Sequence, residues 1–287
     1  MNTYIIHIRP ITMFFAVVLF ASLGACTTSK YAYTPNTANL LQVEQKGDFQ
    51  AAANYATASG SGEANGRKSS NGIDLQTAYA VSKRITLKAD GYFKSEGNQT
   101  IARENGIPNE VIRYKKRGAE ISIGSHNFSR TKDRSAFQAF AGAGAGKFSF
   151  NSKYNDGRPI SSHSMDYFKL FLQPSYTFFV AKNYNFTLGS RINMLQFSKV
   201  VTNYPDLNTI ALGYIDTKPN YFVDFILQQQ FGFTQLKGLQ FQFQVGFTSL
   251  ATSFSSQQNN LLNEKYDYNN SWIALGLILD ASKIRNK

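Results

Sequence analysis

From Leu239 to Thr248 the chain alternates without a break: Leu239, Phe241, Phe243, Val245 and Phe247 interleave with Gln240, Gln242, Gln244, Gly246 and Thr248. In an extended segment a period of two puts all apolar side chains on one face. The preceding segment repeats the pattern, with Tyr221, Val223, Phe225, Leu227, Phe231 and Phe233 opposite Asp224, Gln228, Gln230, Gly232 and Thr234, and residues 235–238 join the two as a hairpin. A second pair sets Phe168, Leu170, Leu172, Tyr176 and Phe178, then Phe186, Leu188, Ile192 and Met194, against polar neighbours around a turn at 181–183. A third sets Ile73, Leu75, Tyr79 and Val81, then Ile85, Leu87, Ala89 and Phe93, around Ser82 and Lys83. Weaker strands at 113–125 and 134–150 flank a polar stretch at 126–133, and single strands at 47–58 and 270–282 close the set. The sum is about ten, within a range of 8 to 12.

Alternation alone fits either a soluble sandwich, apolar face inward, or a membrane barrel, apolar face outward to lipid. Connection lengths separate them. Longer polar stretches near 59–71, 96–112, 151–162, 200–218 and 255–269 alternate with shorter turns, the rhythm of a barrel with both chain ends on one side. Several strands also run to 12 residues or more, beyond the roughly 5 to 6 usual in soluble sheets and enough to cross a bilayer at a tilt. The pattern predicts an all-β chain: a single antiparallel transmembrane β-barrel with short periplasmic turns and longer extracellular loops.

The N-terminus carries a different signal. Residues 11–24 are apolar, shorter than the roughly 20 residues of a spanning helix, and Arg9 precedes them, as in a signal peptide. Leu23-Gly24-Ala25-Cys26 resembles a bacterial lipobox, and Cys26 is the only cysteine among 287 residues, which excludes an internal disulfide. Cys26 is the expected acceptor of a diacylglycerol group, the one covalent modification; no cofactor is expected. Thr27 to Lys30 lacks the acidic run that resembles a surface-export signal of some Bacteroidota lipoproteins. The expected organisation is a signal peptide at 1–25, a lipidated periplasmic tether at 26–46, an outer-membrane barrel at 47–282 and a tail at 283–287, with both termini periplasmic.

Composition narrows the function classes. Aromatic residues form 14% of a chain whose mean hydropathy is −0.29, so the apolar residues are spread thinly, unlike those of a helical membrane protein. There are 30 lysines and arginines against 18 acids, and loss of Arg9 leaves 29 − 18 = +11. An export signal argues against nucleic acid as the partner and favours outer-membrane lipids, above all the phosphates of lipopolysaccharide.

The lipobox, Asn39-Leu40-Leu41-Gln42 followed by Lys46-Gly47-Asp48-Phe49, and the hairpin beginning Asp74-Leu75-Gln76 resemble small outer-membrane barrel proteins of the Bacteroidota. The resemblance spans the mature chain as a pattern. It implies a location and an architecture and carries no catalytic residues. The chain departs from the general outer-membrane pattern in ending past its last strand on a non-aromatic residue.

Candidate chemistry falls in three places. Asp74, Lys88, Asp90, Glu120, Lys169, Arg191 and Asp224 are expected on the interior face, with both signs paired into a network that plugs the lumen; the alternative is a polar channel for small solutes. Arg67, Lys68, Arg113, Lys115, Lys116 and Arg117 are expected at an outer rim, touching lipopolysaccharide phosphates or simply solvated. His163, with Ser161, Ser162, Ser164 and Asp166 nearby, loosely resembles the rim sites of omptin proteases and lipid A deacylases, but no paired-acid signature or nucleophile motif accompanies it. His126 reads as solvated. No Cys and His grouping fits a transition metal, and no Gly-rich phosphate loop is present. Gly142, Gly144 and Gly146 alternate with Ala141, Ala143 and Ala145, leaving little side chain on that strand. The expected function is binding or structural, as an accessory subunit of a larger envelope complex or a surface interaction module contacting another envelope protein; a small-solute pore and a rim enzyme acting on lipid or peptide are the alternatives.

Overall fold

A computed structural model describes residues 30–33, 35–58, 67–100, 110–126, 134–203, 219–250, 266–268 and 271–285. Ten strands form the wall: β1 (Phe49–Ala58), β2 (Arg67–Ala80), β3 (Ile85–Thr100), β4 (Glu110–His126), β5 (Ser135–Tyr154), β6 (Pro159–Ala181), β7 (Tyr184–Thr202), β8 (Asn220–Gly232), β9 (Leu239–Leu250) and β10 (Ser271–Asp280). Each pairs antiparallel with its sequence neighbour, and β10 also pairs with β1, Leu275 opposite Tyr55, so the sheet closes with no free edge. Closure satisfies every strand's backbone within the wall, the condition for a β-structure to sit in hydrocarbon.

The direction of the alternation decides the solvent. Ile73, Leu75, Phe93, Ile121, Ile123, Leu172, Leu188, Phe225, Phe247, Leu275 and Leu277 are all more than two-fifths exposed and lie on every side of the barrel. Gln228, Gln230, Gln240, Gln242 and Gln244, on the other face, are at most 4% exposed. A belt of large apolar groups around a whole circumference far exceeds the few hundred Å² that a soluble monomer leaves bare. The soluble-sandwich alternative therefore fails. Among the polar residues of the outer face, Gln229 is buried, in register between Phe186 and Phe243.

Strand length rises from 10 residues in β1 and β10 to 23 in β6. The excess extends away from the tight 81–84 and 182–183 turns, into stretches expected to be loops. Where a loop was expected at 151–162, β5 and β6 instead meet in a four-residue turn, 155–158. Gly157 (φ 88°) makes the reversal, and the Asp156 carboxylate accepts from the backbone N–H (3.0 Å) and Nε (2.7 Å) of Arg158. Those hydrogen bonds hold the Asp156 carboxyl below its usual range.

The barrel also ends two residues earlier than expected. Beyond Asp280, whose N–H bonds Gly238 O at 2.7 Å, a short helix α1 (Ala281–Arg285) begins inside the span assigned to strand and continues into the predicted tail.

Candidate functional site in the barrel lumen

The interior is filled from within the chain. At the foot of β1, Gly47 (φ 86°) donates to Ala80 O at 2.8 Å, and the Asp48 carboxylate accepts from the N–H of Gln45 (2.8 Å) and Glu44 (3.1 Å). This turn sends the preceding residues back into the barrel. Residues 35–43 then run through the lumen, and every one is buried.

Hydrogen bonds fix the segment at successive heights. Gln42 Nε2 donates to Thr177 Oγ1 (2.6 Å), close to the β6–β7 turn, and its N–H to Gln50 Oε1 (3.0 Å). Asn39 Nδ2 donates to Asp90 Oδ1 (2.6 Å) and Thr77 O (3.0 Å), while Asn39 O accepts from Lys88 Nζ (3.0 Å) and Gln173 Nε2 (2.8 Å). Higher up, Thr37 N–H reaches Asp74 Oδ2 (2.8 Å), Gln244 Nε2 reaches Ala38 O (3.0 Å), and Lys94 Nζ reaches Pro35 O (2.7 Å). Between these contacts Leu40 packs with Ala56, Ile226, Trp272 and Ala274, and Leu41 and Val43 pack with Ala52, Ala78 and Ile278. Gly189 leaves the space that Leu40 occupies.

The partners give the direction of travel. From Gln42 back to Pro35 they climb away from the short turns, from Thr177 past Asp90 to Lys94, the tenth residue of β3. Lys30–Tyr33 then pairs in parallel with Tyr266–Tyr268, which belongs to the long β9–β10 connection. Two expectations are corrected by this path. Part of the supposed tether 26–46 is an internal plug, and the described chain enters at the loop end while α1 leaves at the turn end, so the two ends do not share a side. The lipid expected at Cys26 suggested a tether; hydrogen-bonding partners on six strands make residues 35–43 a plug.

Charges line the path in balance. Glu120 is held between Lys169 and Arg191, the latter at 3.0 Å, and Arg191 Nε donates to Gln173 Oε1 at 2.8 Å. Asp224 accepts from Thr248 (2.7 Å) and Asn193 (2.9 Å). Lys88 lies 3.8 Å from the centroid of the Phe140 ring. Among the described residues the buried carboxylates are Asp74, Asp90, Glu120, Asp224 and Asp280, and the buried cations are Lys88, Lys94, Lys116, Lys169 and Arg191. Five oppose five, as a low-dielectric interior requires. On β4 and β5, Gly118 and Gly146 make room for Tyr92 and Tyr167, whose hydroxyls meet at 2.6 Å across the lumen, while Gly144 makes room for Glu120.

The seven interior charges named from sequence all face inward and are buried. The basic rim group divides. Arg113, Lys115 and Arg117 face outward and are exposed, whereas Lys116 is buried inside, 4.7 Å from the Tyr92 ring centroid, because neighbouring residues of a strand point to opposite faces. Arg67 and Lys68 pair with Gln99 and Asn98 along the backbone, but their side chains lie outside the described residues, as does Cys26. His126 is also corrected: it is buried, with Nδ1 2.7 Å from Thr86 Oγ1. His163 faces the lumen against Phe150, ring centroids 4.3 Å apart, while Asp166 lies on the outer face beside Lys199 at 3.5 Å. The wall separates these two, so they form no dyad. Lys94, Asp280 and the whole 35–43 segment were missed from sequence; strand parity from Phe93 would have found Lys94.

The chain is a membrane-spanning β-barrel. No family model and no curated protein matches it. Among solved structures it is similar to the translocator domain of the autotransporter NalP from Neisseria meningitidis, at 10% identity and a TM-score of 0.47, covering 94% of this chain and 95% of that one. The outer membrane protease OmpT from Escherichia coli follows at 7% identity and 0.40, covering 85% and 98%. An outer membrane channel from Pseudomonas putida F1 stands at 10% and 0.39, covering 86% and 100%.

Proposed function

We propose that this chain is an outer-membrane barrel lipoprotein with a binding or structural role, an accessory subunit of a larger envelope assembly, and not an open pore. The observation that carries the reading is the lumen: residues 35–43 fill it, tied to the wall by hydrogen bonds at several heights. A barrel of eight strands has an interior just wide enough for side chains, and ten strands plus an internal segment leave no evident solute path. With the lumen spent on the chain itself, the surfaces left for partners are the loops and the outer wall.

In this reading the long loops face the exterior, the side on which Lys30–Tyr33 pairs with Tyr266–Tyr268. Two measurements test the proposal. Tagged protein drawn from native outer membranes in mild detergent is expected to bring a stoichiometric envelope partner. In planar bilayers the intact chain is expected to show no steady conductance, and a chain lacking residues 30–43 to show discrete steps. A lone barrel that conducts while intact would overturn the reading in favour of the pore.

A further inference from the structure

On the outer wall, at the upper edge of the apolar belt, strand register brings like charges together. Arg117 of β4 stands directly opposite Lys147 of β5, and Lys115 is two residues above on the same face. Directly opposed side chains lie about 5 Å apart, and like charges so placed destabilise a sheet. On the other side of β5, Asp166 of β6 stands directly opposite Lys147 and pairs with Lys199 at 3.5 Å, so that among the described residues one acid faces four cations here. A recess of about 790 Å³ opens here, lined by Lys115, Arg117 and Lys147 together with Tyr55, Ile73 and Phe93.

Beneath the cations the wall is smooth. Gly91, Ala119 and Ala145 form one row, and Ala143, Ala141 and Ala139 continue down β5 through the belt, with Phe168, Leu170 and Leu172 rising beside them. An added Cβ at Gly91 would meet open space. A strip of alanines is no site by itself; here it starts directly below a cluster in which four cations share one acid. Each part suits one half of an anionic lipid: phosphate on the cations, acyl chain in the trough. Four cations against one acid leave three positive charges, more than a singly charged headgroup neutralises.

We propose that Lys115, Arg117 and Lys147 bind the phosphates of one bis-phosphorylated lipid A-type glycolipid, whose acyl chain lies along the alanine strip of β5. This rests on the outward orientation of the loops proposed above. It replaces the wider rim expected from sequence: Lys116 leaves the set, and Lys147, 30 residues along the chain, joins it.

The test is retention of lipid by the full-length protein from nanodiscs of phosphatidylcholine doped equally with bis-phosphorylated lipid A and phosphatidylglycerol, read by native mass spectrometry after delipidation. Wild type is expected to keep one lipid A, and K115Q/R117Q/K147Q at least tenfold less. Ala145→Trp, which leaves the cations and fills the trough, is expected to lose retention as well. K83Q/K182Q/K237Q, which removes the same charge at the turn end, is expected to match wild type. Undiminished retention by the triple variant or by Ala145→Trp, or an equal fall in the turn-end control, would overturn the proposal. Phosphatidylglycerol held in place of lipid A would overturn it too, and would place the loops in the other leaflet; failure of the partner pull-down alone would leave this lipid result standing.

Discussion

Substituting Asn39 by alanine separates the plug from the wall without touching the wall. The Asn39 side chain donates to the Asp90 carboxylate and to Thr77 O and accepts from Leu41 N–H at 3.3 Å. A hydrogen bond to a charged group contributes about 1.5–3 kcal/mol and one between neutral groups about 0.5–1.5. Water can enter the vacated polar space and recover part of this, leaving a net loss of about 3 kcal/mol. The backbone carbonyl of Asn39 keeps its bonds from Lys88 and Gln173, so the segment still threads the barrel. At about 1.4 kcal/mol per factor of ten, local opening of the segment should become about 100-fold more frequent. Hydrogen exchange in micelles reads this at the amides of Thr37 and Gln42, which flank the site and bond Asp74 and Gln50. Both should exchange about 100-fold faster, while ladder amides of β6 and β7 keep their protection. Unchanged exchange at Thr37 and Gln42 would refute the reasoning, as would an equal loss across the ladder, which would mean that plug and wall open together.

Further outcomes follow from the same geometry. Glu120→Gln leaves Lys169 and Arg191 facing a neutral amide in a buried site, which costs about 3–5 kcal/mol, measurable as a shift in the urea midpoint of heat-modifiable gel mobility; a loss below 1 kcal/mol would sink the ion-pair account. Gly144→Val sets a Cβ 2.6 Å from Glu120 Cγ and should destabilise by about 1–3 kcal/mol through overpacking, whereas Gly91→Ala, which meets open space, should stay within about 0.5 kcal/mol in the same titration. Cys26→Ser should remain in the membrane pellet after an alkaline carbonate wash, because the apolar belt and not the lipid holds the barrel; release into the supernatant would contradict the transmembrane reading.

The wall was legible in the sequence because it obeys a rule local to each strand. Once Leu239, Phe241 and Phe243 face lipid, Gln240, Gln242 and Gln244 must face inward, and the same parity places Asp74, Glu120, Arg191 and Asp224 in the lumen. Parity also held information that grouping by charge discarded. Lys115, Lys116 and Arg117 are one basic run in sequence but straddle the wall, and His163 and Asp166, an odd number of residues apart, cannot share a face of one strand. Strand limits were less legible, since Asn- and Ser-rich stretches such as 151–154 read as loop yet continue the ladder of β5.

What only the tertiary structure decided is what meets across the closed sheet. Residues 35–43 have no period, cap or turn that marks them as internal; their partners Asp74, Asp90, Gln173, Thr177 and Gln244 come together only when the barrel closes. The pairing of Arg117 with Lys147 depends likewise on register between β4 and β5, which neither strand's own pattern fixes. A period of two determines a face, whereas a partner depends on how far one strand is shifted along the next, and that shift is set by packing the whole interior at once.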